Sequence, residues 1–219
     1  MKHVGIVACS AEGAALCYRT ICMEGGRDHP EVSMHTPPFG EYVRLINRDD
    51  WRGVGELMLV SAQKLARNGA ELLICPDNTI HQALPFIEER SPLPWLHIAR
   101  VVAAEASARG YRRIGLTGTR WLVLSDVYPA EYVRPRDEER EETSRIIMDE
   151  LVNGIFRPEG VTYFQKVIAR FKEEEACDAV VLGCTEIPLI ISDASSPLPV
   201  LDSTRLLARA ALRSAKETT

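Results

Sequence analysis

Two short stretches of this chain carry residue types that can move a proton at carbon. One is Cys75-Pro76-Asp77-Asn78-Thr79-Ile80-His81, the other Leu182-Gly183-Cys184-Thr185-Glu186-Ile187-Pro188. In the second, an apolar run ends at Leu182, Gly183 permits a tight turn, and Cys184 falls at or just before the first turn of a helix. Unpaired N–H groups and the helix dipole at such a place lower a thiol pKa, and the thiolate is ready to act as base or nucleophile. In the first, Pro76 closes a strand and Asp77 stands where a helix N-cap is wanted, a role that needs no chemistry. A carboxylate at the same place can also accept a proton, and both readings of Asp77 stand on local grounds.

The two stretches are related to each other. Glu71–Ile80 lies over Asp178–Ile187, which sets Asp77 over Cys184 at a displacement of 107 positions (77 to 184). Gly5–Ser10 lies over Gly115–Arg120 at a displacement of 110 positions (5 to 115). Two strand-to-helix junctions recurring at nearly one displacement suggest two similar lobes related by a pseudo-twofold. That relation places Asp77 and Cys184 at equivalent positions, facing each other across a cleft at the carboxyl ends of parallel strands, where such folds bind ligands. A carboxylate and a thiol on opposite faces of one carbon form a two-base pair: one removes the α-proton and the other returns it from the far side. Such chemistry also requires donors for an enolate-like intermediate, and Asn78, Thr79, Thr185 and the backbone N–H groups of both junctions are of the right type.

The elements that must hold these groups alternate between β-rich runs and helical patterns, which predicts an α/β fold with mostly parallel sheets flanked by helices. Strands are expected at His3–Ala8, Glu31–His35, Leu72–Cys75, Trp95–Ile98, Arg113–Thr117, Ala179–Leu182 and Pro199–Leu201. Helices are expected at Ala11–Glu24, Trp51–Asn68, Thr79–Glu89, Val101–Arg109, Asp137–Asn153, Val161–Glu175 and Ser203–Lys216, with a short one from Thr185. Pro37–Asp50 reads as a loop with a helical piece. The lobes are expected to comprise residues 1–97 with 204–219, and 98–203.

Composition removes several functions. The chain of 219 residues is 46% hydrophobic and carries a formal net charge of −5, with basic residues scattered rather than gathered in the stripe a nucleic acid needs. The acidic clusters Glu138–Glu142 and Glu173–Glu175 sit on helical patterns with basic neighbours and read as solvated faces. No apolar run reaches the length of a bilayer span, and the opening residues do not read as a signal peptide, so a soluble, cytoplasmic protein is expected. The six cysteines form no close pairs of the kind a zinc site uses. Burial as small hydrophobes is the default for each, and Cys184 alone has a local reason to depart from it.

Over nearly its whole length the chain resembles the aspartate/glutamate racemase family. The segment Leu-Gly-Cys184-Thr-Glu186-Ile matches the family's second signature, and Asp77-Asn78-Thr79-Ile80-His81 resembles its Cys-Asn-Thr-x-His, with Asp in place of the first catalytic cysteine. Gly5-Ile-Val-Ala-Cys-Ser10-Ala-Glu12 resembles the family's first turn, Leu116-Thr-Gly118-Thr119 its Leu-Gly-Thr turn, and Leu201-Asp202-Ser203 the lead into its last helix. The resemblance implies a two-lobed fold, a homodimer, a small carboxylate or amino-acid substrate, and no pyridoxal phosphate or metal. It implies that Cys184 is one acid/base and that Asp77 stands where the other would be. Ser10, Asn78, Thr79, Thr119 and Thr185 would hold the substrate carboxylate, with His81 and Glu186 orienting or polarising their neighbours. His81 also reads as a locally satisfied helix-face residue, and Glu186 as an acid favoured near a helix start.

Three functions follow from this reading. The first is a cofactor-independent amino-acid racemase or epimerase working through Cys184 and Asp77. The second is a lyase or isomerase of the same superfamily, such as a decarboxylase, a cis–trans isomerase or a hydantoin racemase, using Cys184. The third is a non-catalytic binder of small molecules. Asp77 disfavours an acidic side chain, and the pocket for that side chain is expected in the Glu31–Arg52 segment, where His35, Arg44, Arg48 and Arg52 are available.

Overall fold

The computed structural model describes residues 1–217. Two parallel sheets organise it. The first has the order β2 (Val32–His35), β1 (Val4–Val7), β3 (Leu72–Ile74), β4 (Trp95–Leu96), and the second the order β5 (Ile114–Thr117), β6 (Ala179–Leu182), β7 (Val200–Asp202). β1, β3, β5 and β6 are buried along their whole lengths, as expected of strands covered on both faces.

The near-repeat is present in strand register. Gly5 of β1 pairs with Leu73 of β3, and Gly115 of β5 pairs with Val180 of β6. Leu73 pairs in turn with Trp95, and Val180 with Val200. The trios β1-β3-β4 and β5-β6-β7 are therefore topological equivalents, and β2 is the addition peculiar to the first sheet. Asp77 follows an inner strand of one sheet and Cys184 the middle strand of the other.

The helices are α1 (Ala11–Gly25), α2 (Phe39–Ile46), α3 (Trp51–Arg67), α4 (Ile98–Ala108), α5 (Arg120–Val123), α6 (Asp137–Arg145), α7 (Pro158–Glu173) and α8 (Ser203–Lys216). One face of the first sheet is covered by α1 and α8, where Cys17, Ile21, Leu207 and Ala211 close on Val4 and Ile6. The other face is covered by α3, through Met58, Leu59 and Ala62. α7 covers the second sheet with Phe164, Val167, Ile168 and Phe171. α4 joins the lobes: Ile98 packs with the first, Ala99, Val102 and Ala106 with the second.

The helical piece expected within Pro37–Asp50 is α2, where Tyr42 and Ile46 bury one stripe at i, i+4 spacing. Three local expectations need correction. Thr79–Glu89 is not α-helical but a 3₁₀ segment over Thr79–Phe86; Pro85 within it lacks an N–H and would clash with the carbonyl four residues back in an α-helix. Asp137–Asn153 is not one helix: α6 ends at Arg145 and passes through a π turn, Ile146–Glu150, into a 3₁₀ turn, Leu151–Asn153. After Cys184 there is only a three-residue 3₁₀ turn, Ile187–Leu189, with Pro188 inside it.

Candidate active site

The junctions after β1, β3, β5 and β6 converge on one cleft. Cys9 and Ser10 line it from the first, Asp77, Asn78 and Thr79 from the second, Thr119 from the third, and Gly183, Cys184, Thr185 and Glu186 from the fourth. Its empty volume, shared with the open mouth, is about 500 Å³. The close packing of neighbouring strand ends β5 and β6 explains Gly183: a Cβ there would overlap the carbonyl oxygen of Thr117. Hydrogen bonds tie the lobes together around the cleft. The Thr79 and Thr119 hydroxyls meet at 2.8 Å, and the Asn78 amide donates to Ser203 Oγ at 2.9 Å while its oxygen accepts from Tyr128 at 2.7 Å.

On one side stands Cys184, 9% exposed, whose thiol donates to Glu186 Oε2 at 2.8 Å. Thr185 Oγ1 donates to the same oxygen at 3.1 Å, and Ser10 Oγ donates to the other, Oε1. Glu186 is thus a buried acid held by three hydroxyl or thiol donors contributed by both lobes. The thiol's environment reverses the sequence expectation. Burial, and then the Glu186 carboxylate beside it, push the Cys184 thiol well above its ordinary range, so the resting group is the protonated thiol. A three-residue 3₁₀ turn ends far too soon to supply the helix dipole that a low thiol pKa would require.

On the other side stands Asp77. Its Oδ1 accepts from the Ile80 N–H at 3.1 Å, so it does cap the following segment, and the same carboxylate lines the cleft. The two roles that local sequence left as alternatives occur together. Burial raises the Asp77 carboxyl to about 6, the Ile80 N–H opposes that rise, and Glu186 adds to it. At neutral pH this side of the cleft is a carboxylate and the Cys184 side a thiol.

His81 lies behind the cleft rather than in its lining. Its Nδ1 is 2.6 Å from the Asp77 carbonyl and its Nε2 accepts from the Ile98 N–H at 3.3 Å, an arrangement that assigns the proton to Nδ1. Burial, and next to it His97, lower its pKa to about 3, so it is a neutral ring bracing the Asp77 backbone against α4. Ser10, Asn78, Thr79, Thr119, Thr185 and Glu186 all line the cleft, but the side-chain oxygen of Asn78 is engaged within the protein.

Several lining residues were not anticipated. Cys9, expected to be plain filling, lines the cleft near Asp77, where its thiol holds the carboxyl somewhat lower. Its place one residue before Ser10, at the end of β1, was the available signal. Trp121, Ile147, Met148 and Val152 come from segments in which no cleft residue was expected. The Glu31–Arg52 segment does contribute, but through Phe39, Val43, Ile46 and Asn47. His35 bonds Ser61 and Lys64, Arg44 bonds the Gly40 carbonyl, Arg52 lies over the Phe86 ring, and Arg48 is absent from the lining. Among the described residues, no group of three His, Cys, Asp or Glu side chains is arranged to hold a metal ion, and no helix is long and apolar enough to cross a membrane.

Two parallel-sheet lobes close a thiol and a carboxylate into one cleft. The chain belongs to the Asp/Glu/hydantoin racemase family, whose model matches residues 10–211. It is similar to the broad-specificity amino-acid racemase RacX of Bacillus subtilis, 22% identical over 187 residues that span 83% of this chain and 80% of RacX. It is also similar to glutamate racemase of Thermus thermophilus, 28% identical over 184 residues, 81% of this chain and 65% of that enzyme's length. Among solved structures, a Yersinia pestis protein assigned to the Asp/Glu racemases superposes with a TM-score of 0.87 at 30% identity, covering 99% of this chain and 100% of the other. PH1733 of Pyrococcus horikoshii, an aspartate racemase homologue, superposes with a TM-score of 0.84, also at 30% identity and over 99% and 100% of the two chains.

Proposed function

We propose that this protein is a cofactor-independent amino-acid racemase or epimerase that moves an α-proton between Asp77 and Cys184. The observation that carries the reading is the pairing, within one cleft, of a half-buried carboxylate whose pKa is raised to about 6 with a buried thiol that stays protonated. The matched pKa needed by a general base is approached from below by Asp77, and the thiol supplies the acid. Asp77 takes the α-proton from one face of the bound amino acid. The enolate-like intermediate is met by the hydroxyl hydrogen that the Thr79–Thr119 pair leaves free, the Ser10 and Thr185 hydrogens being given to Glu186. Cys184 then delivers its proton to the opposite face, and the thiolate left behind faces Glu186 and its donors. The reverse reaction, from the other enantiomer, starts with Cys184 as thiolate and Asp77 protonated. That resting form is the rarer one, so the two directions differ in rate.

Solvent deuterium tests this. A panel of L- and D-amino acids in deuterated water, read by NMR at the α-position, should show exchange with inversion in the parent protein. Exchange with inversion should be lost in Cys184→Ala, and likewise in Asp77→Ala. Full exchange in both variants would remove the two-base reading. A product formed with no racemised substrate would favour the lyase reading instead.

Homodimerisation and a cytoplasmic location belong to the same proposal and rest on the family. Sedimentation of the purified chain checks the first. The division into residues 1–97 with 204–219, and 98–203, is likewise proposed, supported by the return of α8 to pack on α1; Thr218 and Thr219 lie outside the described residues.

A further inference from the structure

The part of the cleft lining formed by α2, α5 and the π turn is apolar but for Asn47 at the end of α2. Phe39, Val43 and Ile46 of α2 face Trp121 of α5 and the π-turn residues Ile147 and Met148. The charged side chains in the lining are Asp77 and Glu186, and among the described residues no lysine, arginine or histidine joins them. The nearest cations stand in the adjoining outer groove and are already paired, Arg120 to Glu141 at 3.5 Å and Arg145 to Glu142 at 2.8 Å and to Glu150 at 3.0 Å. A substrate with a second carboxylate would bring a third anion into a space that already holds two, with no cation to meet it. Burial of an unpaired carboxylate is among the most unfavourable events in binding.

We infer that the side-chain subsite selects an uncharged, apolar group of leucine or methionine size, and that aspartate and glutamate are excluded. This rests on the proposed racemase reading for the position of the α-carbon between Asp77 and Cys184. The remaining parts of an α-amino acid have complementary groups. Its ammonium meets the acidic pair Asp77 and Glu186, and its carboxylate meets the Thr79–Thr119 hydroxyl pair, one hydrogen of which is free. Its side chain is left with the wall formed by α2, α5 and the π turn. Two of the elements that build this wall fix its chemistry. α2 buries Ile46 and Tyr42 on one stripe while carrying Arg44 and Glu41 outward, and the π turn widens the helix so that Ile147 and Met148 both reach the cleft.

The test combines binding with exchange. Calorimetric titration of the parent protein with L-leucine, L-methionine, L-aspartate and L-glutamate runs beside α-proton exchange on the same four compounds. Binding of leucine and methionine with the two acids weaker by about 100-fold or more supports the inference. Preferential binding or exchange of aspartate or glutamate overturns it and leaves the racemase reading intact. Selective binding of leucine with no exchange on any amino acid does the opposite. Failure of all four to bind overturns the apolar assignment. A Val43→Arg protein, altered at a half-buried position on the rim, should lose leucine affinity and gain aspartate affinity. Val43→Arg with the parent's preference unchanged would also overturn the inference.

Discussion

Asp77→Asn should make the protein more stable at neutral pH while removing its activity. The Asp77 carboxyl is held at about 6, about two pH units above the ~3.9 of an aspartate in an unfolded chain. Between those values the folded state binds the proton and the unfolded state does not. Stability contributed by this group is therefore complete below about pH 4 and is lost as pH rises through about 6. At about 1.4 kcal/mol per pH unit, the ionised carboxylate costs the native state about 3 kcal/mol at pH 7. Asparagine is nearly the same size, keeps an oxygen to accept from the Ile80 N–H, and removes the buried charge. Urea unfolding at pH 7.5 should show Asp77→Asn more stable than the parent by about 2–3 kcal/mol at an unchanged m-value, with the gap closing towards pH 4. A parent as stable as the variant at pH 7.5, or a gap that does not change with pH, would refute the claim that the cleft holds Asp77 as a disfavoured base.

Further predictions follow from the same groups. The rate of α-proton exchange should rise through about pH 6 as Asp77 ionises, and stay level until an alkaline limb above the ordinary thiol range. Cys9→Ala, which removes the thiol that helps to hold the Asp77 carboxyl down, should move the acid limb to higher pH in the same exchange assay. Glu186→Gln removes the carboxylate that holds the Cys184 thiol up, so alkylation of Cys184 by iodoacetamide should show a lower apparent pKa; the parent thiol should react slowly. Gly183→Ala should destabilise the fold by about 3 kcal/mol or more in thermal or urea unfolding, because its Cβ has no space between Thr117 and Leu122.

How far these features could be read in the sequence follows from their range. The lobes, the parallel strands and the equivalence of Asp77 with Cys184 rest on short-range patterns, and the near-repeat carries through to the pairing of Gly5 with Leu73 and of Gly115 with Val180. The polar lining was legible for the same reason: Ser10, Thr79, Thr119 and Thr185 all sit at strand ends, where the chain must turn into the cleft. The apolar wall was not, since Trp121, Ile147 and Met148 reach the cleft only through a four-residue helix and a π turn that no periodicity announces. The electrostatics went furthest astray. A dipole-activated thiolate was a reasonable expectation for Cys184, but Pro188 cuts the helix to one 3₁₀ turn, and a carboxylate two positions along the chain takes the thiol's proton as a hydrogen bond. Sequence adjacency did not reveal that Glu186 would fold back on Cys184 rather than face solvent.

The most direct test of the account is enantiomer-resolved deuterium incorporation at the α-carbon of L-leucine by the parent, Cys184→Ala, Asp77→Asn and the double variant. The account predicts deuterated D-leucine from the parent and no inversion by either single variant. Cys184→Ala should retain slow washout of the α-proton from the one enantiomer that Asp77 faces, and the double variant none at all. Inversion that persists in either single variant, or washout that persists in the double variant, would contradict a proton passing between Asp77 and Cys184.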